Sequence, residues 1–497
     1  MQHIQMNRKT PWRGAMLTLA AMASSAIAGT PDGYAHVRQV IAKAVRSKSL
    51  PSVSVAVFSH GRIEWAEGFG WADREHRVTA TPDTIYQLAS ISKSFTATAL
   101  MSLVQQKKID LNRPINDYLG AAKIVARVGH AEDATVLRVA DHTSGLPFHV
   151  DFFYSNTPLR RPDAQTTIRK YGQLTNPPGD RYFYSNLGYG LLGHVVANQQ
   201  GTDYATAMKD LVFQPLGLTS TFVGPPGRRT VAVQYQTNGA RVPYFETDHA
   251  GASEVFSSAN DLVRFAAFHL KAHLPGQRSI LSDATIDQMH QLSSREDASN
   301  GYGIGFEVST HSGHQVVSHS GAMPGVATDM LLVPAEDLAI VVLCNAWSSE
   351  QVDKIVDQIA AVKLPGWRPQ EAGGFPTPTR DFVPPGNLVG RWTGQVLRDE
   401  GVLPVILDVR PDGKIAGTFG DQPTVDLANL SFKDRRLSGA FPTSLQTKDS
   451  ERYSYVVYLD LKLDGERLFG AAVALDNPKS QTFVAGLSHW MDLHRVR

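Results

Sequence analysis

Ser90-Ile91-Ser92-Lys93 opens a run, Ser92 to Gln106, in which Phe95, Ala99, Leu100 and Leu103 recur at helical spacing. Residues three apart on a helix sit one above the other, so the spacing predicts that the Lys93 amine lies one turn from the Ser90 hydroxyl. An amine held there can hydrogen-bond Oγ and help it lose its proton, and a helix N-terminus favours the negative charge that develops. A serine at a helix start can equally be a plain cap. The companions of the pair therefore decide its meaning.

Two further constellations accompany it. Tyr184-Ser185-Asn186 follows the turn Asn176-Pro177-Pro178-Gly179-Asp180; a phenol beside a cation can ionise well below its usual pKa of ~10 and become a general base. Asn186 can offer its amide to a substrate carbonyl or to the same lysine. His319-Ser320-Gly321 stands at the end of a strand-like run, Gln315 to Ser318. Glycine there allows close backbone approach, so backbone N–H groups can serve an oxyanion. His311, His314 and His319 are close in sequence, but alternation along a hairpin points them to different faces, which argues against a shared metal. His142, in His142-Thr143-Ser144-Gly145-Leu146-Pro147, reads as a loop organiser. Phe148, Phe152, Phe153 and Tyr154 could wall a cleft or be buried. Cys344 reads as a buried strand residue.

The 497 residues can bury a full core, and 48 Lys plus Arg against 47 Asp plus Glu give no basic excess for nucleic acid. A single cysteine, Cys344, excludes an intrachain disulfide. Arg8, Lys9 and Arg13 precede the apolar run Ala15 to Ala28, which ends Ala26-Ile27-Ala28; this predicts a secretory signal over 1–28. That apolar run is shorter than the ~20 residues of a span, and no stable membrane span is expected once the signal is cleaved. Cleavage leaves 45 basic and 47 acidic side chains, net −2, on a secreted, periplasmic protein.

Six prolines between Pro365 and Pro385 mark a Pro/Gly-rich linker over 365–386. Upstream, over 29–364, Val53 to Phe58, Gly61-Arg62 and Ile63 to Phe69 read as a hairpin, and Asp261 to Leu270 as a helix. Asp329 to Val333 and Leu338 to Leu343 read as late strands. The order is that of an α+β domain. Downstream, over 387–497, Tyr453, Tyr455, Val457, Leu459, Leu461 and Leu463 alternate with more polar neighbours up to Asp464-Gly465, which predicts a small antiparallel β-barrel or sandwich. The linker implies that a chain ending near Val383 still folds.

Ser-x-x-Lys, Tyr-x-Asn and a His-led third motif, in this order, resemble the serine β-lactamase and penicillin-binding-protein superfamily, specifically its class C branch with the related DD-peptidases and esterases. Thr81-Pro82-Asp83-Thr84, Gln87-Leu88-Ala89, the His142 turn, Pro178-Gly179 and Tyr302-Gly303-Ile304-Gly305-Phe306 are similar to stretches of that branch, and the resemblance covers about residues 35 to 360. It implies an antiparallel sheet flanked by helices, a helical subdomain and an active site between them. The tail looks like the lipocalin-like barrels appended to some members. Matched motif by motif, the resemblance makes Ser90 the nucleophile, Lys93 its activator and Tyr184 the base that later activates water. Asn186 would touch the substrate, beside His319, Ser320 and Gly321, and the N–H groups of Ser90 and Ala322 would form the oxyanion hole. The implied reaction is acyl transfer through an acyl-enzyme, with no metal and no cofactor, on a small-molecule or peptide substrate: a β-lactam, a D-amino-acid peptide or a small ester. His319 stands where efficient class C β-lactamases carry lysine, and a mostly neutral histidine holds a substrate carboxylate less well. The competing reading is a catalytically weak penicillin-recognising or cell-wall-binding protein. No Gly-x-Ser-x-Gly pentapeptide points to the other esterase type.

Overall fold

The computed structural model describes residues 32–297, 299–369, 382–476 and 484–496. The expected signal over 1–28 and the centre of the linker lie outside the described residues.

The predicted hairpin is present as Ser52–Ser59 and Arg62–Asp73, turning at His60-Gly61, where both residues have positive φ. It is part of a nine-stranded antiparallel sheet. From one edge the order is Ser294–Arg295, Asn300–Tyr302, Glu307–His311, His314–Met323, Val326–Val333, Leu338–Cys344, Ser52–Ser59, Arg62–Asp73 and Val78–Thr79. Every residue of Ser52–Ser59 and of Leu338–Cys344, Cys344 included, is buried, because both faces are covered. Val53, Val55, Val57, Ile340 and Val342 pack beneath the helices Ala35–Arg46 and Ser349–Lys363. Ala56, Phe58, Ala339, Val341 and Leu343 face the opposite core, with the helices Ser92–Gln105 and Ala259–His269. Ser92–Gln105 is buried at every position from Ser92 to Leu103, so it runs through the interior rather than along a surface.

The third motif sits differently from its reading in the sequence. His314–Met323 is one continuous strand, and His319-Ser320-Gly321-Ala322 lies within it, paired with Met330, Asp329, Thr328 and Ala327. The strand continues because the partner Val326–Val333 supplies a ladder through the whole motif; a polar His-Ser-Gly triplet does not itself end a strand.

Beyond the linker, strands from Gly390–Arg398 to Ala485–Arg495 form a nearly closed antiparallel barrel. Its interior is filled by Trp392, Leu403, Leu407, Leu459, Leu461 and Met491, each at most 2% exposed. The barrel does not hang free. Ala485 and Gly486 of its last strand pair with Asp151 and Val150, and the strand Val150–Tyr154 pairs in turn with Phe245–Thr247. The barrel sheet thus continues into the first domain. This resolves the aromatic run: Phe152 and Tyr154 are buried with Val242, Phe245, Met323 and Val326, and with Phe148 half-buried against them, in a small core that also holds Ala89, the residue before the candidate nucleophile. Phe153 lies under the Arg452 guanidinium of the barrel, 5.2 Å away.

Candidate active site

Ser90 lies in a short 3₁₀ turn, Ala89–Ile91, that leads into the Ser92–Gln105 helix. Ala89 has φ +50°, a left-handed conformation that is uncommon for a residue with a side chain. The sequence carries no signal of it. Thr328 Oγ1 donates to Leu88 O at 2.8 Å and ties this turn to the sheet.

Lys93 Nζ is fully buried and has three oxygen neighbours: Asn186 Oδ1 at 2.8 Å, Ala252 O at 3.1 Å and Ser90 Oγ at 3.2 Å. The first two can only accept. A neutral amine has two hydrogens for those acceptors and one lone pair left, which then faces the Ser90 hydroxyl. Burial favours that state: it holds the Lys93 pKa well below the usual lysine value, against a weaker opposite pull from Glu307. Asn186 therefore serves the lysine, one of the two partners its amide could have taken. The Ala252 carbonyl was invisible to motif reasoning. It reaches Lys93 because the helix Asn186–Gln200 and the short helix Ala250–Ser253 cross in close contact: a Cβ on Gly251 would meet Tyr189 O at 2.3 Å and Gly193 Cα at 3.0 Å.

Tyr184 stands beside this pair, with its ring centroid 4.7 Å from Lys93 Nζ and its phenol toward Ser90. The expectation that a neighbouring cation would draw off its proton does not describe the resting site. Burial pushes the phenol upward, outweighing the opposite pull of Ser90, and with Lys93 lowered there is no strong cation to oppose it. Burial thus disfavours the charged form of both groups, the ammonium and the phenolate.

His142, in the left-handed region at φ 63°, organises the loop as its turn suggested. Its Nδ1 accepts from Ser185 N at 3.1 Å, its carbonyl accepts from Phe183 N at 2.8 Å, and its ring packs 4.5 Å from that of Tyr184.

The third motif divides by the period-two rule. His319 is 1% exposed, and both its ring nitrogens are engaged internally, Nδ1 with Ser320 O at 2.7 Å and Nε2 with the Tyr302 hydroxyl at 2.8 Å. Burial, with Lys93 adding to it, pushes its pKa down to about 3, so it is neutral across the physiological range. Ser320 is exposed, and alternation places its side chain on the opposite sheet face from His319 and Gly321. Gly321 is where the strand touches the nucleophile turn: a Cβ there would lie 2.2 Å from Leu88 O, 2.4 Å from Thr328 Oγ1 and 3.1 Å from Ala89 Cβ. Only glycine fits. That contact brings the Gly321-Ala322 backbone beside Ser90, where an oxyanion hole from the Ser90 and Ala322 N–H groups requires it.

His311 and His314 face each other across a hairpin, and His319 is buried elsewhere on the strand, so these three do not converge. Among the described residues, the group with metal-type spacing is His149, Asp248 and His249, whose donor atoms lie within 4.8 Å of one another. The Asp248 carboxylate already bonds His149 Nε2 at 2.8 Å and His249 Nδ1 at 2.7 Å, which fixes the backbone just ahead of Ala250–Ser253.

With this geometry in place, comparison with known proteins decides the family. The Beta-lactamase family model matches residues 37–363. The chain belongs to the Beta-lactamase family. Within it, the chain is similar to Protein flp of Staphylococcus aureus strain N315, 27% identical over 341 residues, or 66% of this chain and 66% of that protein. It thus spans just under two thirds of that relative's length. In fold it is similar to a class C β-lactamase, with TM-score 0.59 and 19% identity, covering 69% of this chain and 99% of that one. SurE, in a crystal structure with D-Leu, covers 93% of this Beta-lactamase-family chain and 99% of its own, with TM-score 0.61 and 20% identity.

Proposed function

We propose that the chain is an exported serine hydrolase that works through an acyl-enzyme on Ser90. The observation that carries this reading is the 3.2 Å approach of Lys93 Nζ to Ser90 Oγ, with the other two neighbours of the amine both obligate acceptors. In the first step the Lys93 lone pair takes the Ser90 proton as Oγ attacks the substrate carbonyl. The Tyr184 phenol donates to the same oxygen and steadies the alkoxide. The Ser90 and Ala322 N–H groups receive the negative charge on the carbonyl oxygen. The ammonium formed on Lys93, unfavourable in its buried site, returns a proton by way of Tyr184 to the leaving group. Water then attacks the acyl carbonyl, its proton passing by way of Tyr184 to Lys93; the bond from that carbonyl to Oγ breaks, the proton returns to Ser90 Oγ, and the acid is released.

The substrate class follows from charge. Where related β-lactamases hold a lysine, this site has a neutral, internally bonded His319. A substrate carboxylate at that position gains no ion pair. We therefore assign ester bonds, or amides of peptides with D-residues, ahead of β-lactams; the D-Leu held by SurE, a protein of the same two-part fold, supports the D-residue alternative. The basic and apolar segment before Thr30 supports export, and the substrate would be met outside the cytoplasm.

A hydrolysis screen tests this. p-Nitrophenyl butyrate or a D-leucyl p-nitroanilide is expected to turn over with kcat/KM about 10-fold or more above that of nitrocefin, the cost of an unpaired carboxylate. Nitrocefin as the best substrate would contradict the substrate assignment, and no turnover of any of the three would favour a penicillin-recognising binder.

A further inference from the structure

We propose that Asp460, on the barrel strand Tyr455–Asp464, is a positioning residue for Tyr184, so that the barrel completes the active site of the domain before it. The inference rests on the hydrolase reading above and adds a residue that no motif contains.

Tyr184 sits near the end of the loop Gly179–Ser185, ahead of the helix Asn186–Gln200. The first domain holds both ends of this loop. Gly179 N donates to Thr143 O at 2.7 Å, and Ser185 Oγ donates to Pro147 O at 2.8 Å. Between these ends Phe183 N also donates to His142 O at 2.8 Å, while the side chains of Asp180 and Arg181 reach the barrel. Asp180 accepts from Lys462, and Arg181 forms an ion pair with Asp460. Asp460 also accepts from Arg436 Nε at 2.8 Å, so one carboxylate, 8% exposed, neutralises two guanidiniums. Asp460 and Lys462, two apart on a strand, present the same face to the loop. The coupling to Tyr184 is short: the Arg181 guanidinium stacks 4.2 Å from the centre of the Phe183 ring, and Phe183 is the immediate neighbour of Tyr184. With Asp460 uncharged, Arg181 and Arg436 repel each other, Arg181 leaves its place over Phe183, and the phenol drifts from Ser90.

Docking of the barrel does not depend on this pair. Main-chain pairing of Ala485 and Gly486 with Asp151 and Val150, and the Lys170 to Asp449 ion pair at 2.7 Å, hold the two parts together elsewhere. Loss of Asp460 is therefore a local displacement rather than a separation.

Steady-state kinetics on p-nitrophenyl butyrate test the inference in the full-length chain. D460N is expected to lower kcat by about 10-fold or more while KM stays within about two-fold, because the fault lies in the orientation of a reacting group and not in binding. D460E is expected to recover most of that loss. K462Q, at a partly exposed pair that tolerates change, is expected to lower kcat about three-fold with the same KM pattern. D408N, which removes a solvent-exposed ion pair with Arg391 on the barrel, is the control and keeps wild-type kcat. A folded D460N with wild-type kcat, or with the loss confined to KM, overturns the inference. If D460N does not fold, a K462Q of wild-type kcat overturns it. Failure of the underlying reading is distinct: the wild type itself would then turn over no ester and take no fluorophosphonate on Ser90.

Discussion

Lys93→Met is expected to reduce acylation of Ser90 by about 10³-fold, within the range for loss of a positioned base. Methionine fills the same buried volume but has no lone pair to take the hydroxyl proton. The same variant gives a second signal in stability. The native Lys93 pKa lies well below that of lysine in an unfolded chain, ~10.4. Between those two values the unfolded chain binds the extra proton, so native stability rises with pH through that window and is lost as pH falls through the native pKa. The buried tyrosines, raised rather than lowered, act oppositely above pH ~10, so the window to examine ends there. The difference in urea midpoint between wild type and K93M is therefore expected to widen in favour of the wild type from neutrality toward pH ~9.5. A flat difference would mean that the native amine keeps its proton, and that the base reading is wrong.

Gly321→Ala is expected to cost about 10² to 10³ in kcat and about 2 kcal/mol of stability. Gly321 does not have a positive φ, so the effect is not backbone strain. It is contact: the new methyl meets Leu88 O and Thr328 Oγ1, both of which belong to the link between strand and nucleophile turn. The strand must withdraw, and Ala322 N–H moves away from the oxygen it is placed to receive. Kinetics on p-nitrophenyl butyrate with thermal unfolding checks this. A variant with wild-type kcat would remove Ala322 from the oxyanion hole.

How much of this was legible depended on the range of the interaction involved. The Ser90 and Lys93 pair, the Ser52–Ser59 hairpin and the loop role of His142 rest on spacing and turn chemistry, which a sequence states directly. Ser320 is exposed and lies on the opposite sheet face from His319 and Gly321, which the period of two shows once the third motif is taken as mid-strand. The protonation states of Lys93 and Tyr184 were not legible, because they follow from burial on all sides, and burial is a property of the assembled core. Ala89 at positive φ and the Ala252 carbonyl leave no side-chain signature. The linker, by its composition, reads as a separation between independent parts. The pairing of Val150 with Gly486, residues more than 300 apart, makes the barrel an extension of the first domain, and no local pattern predicts it. That same distance hid Asp460.

The central claim is that one hydroxyl, on Ser90, becomes nucleophilic because the neutral amine of Lys93 accepts its proton. Intact-mass measurement and peptide mapping after treatment with a fluorophosphonate, on wild type and on Ser90→Ala, tests it most directly. The account predicts a single adduct on the peptide that contains Ser90, and none on the variant. An adduct on another residue, or equal labelling of Ser90→Ala, would contradict it.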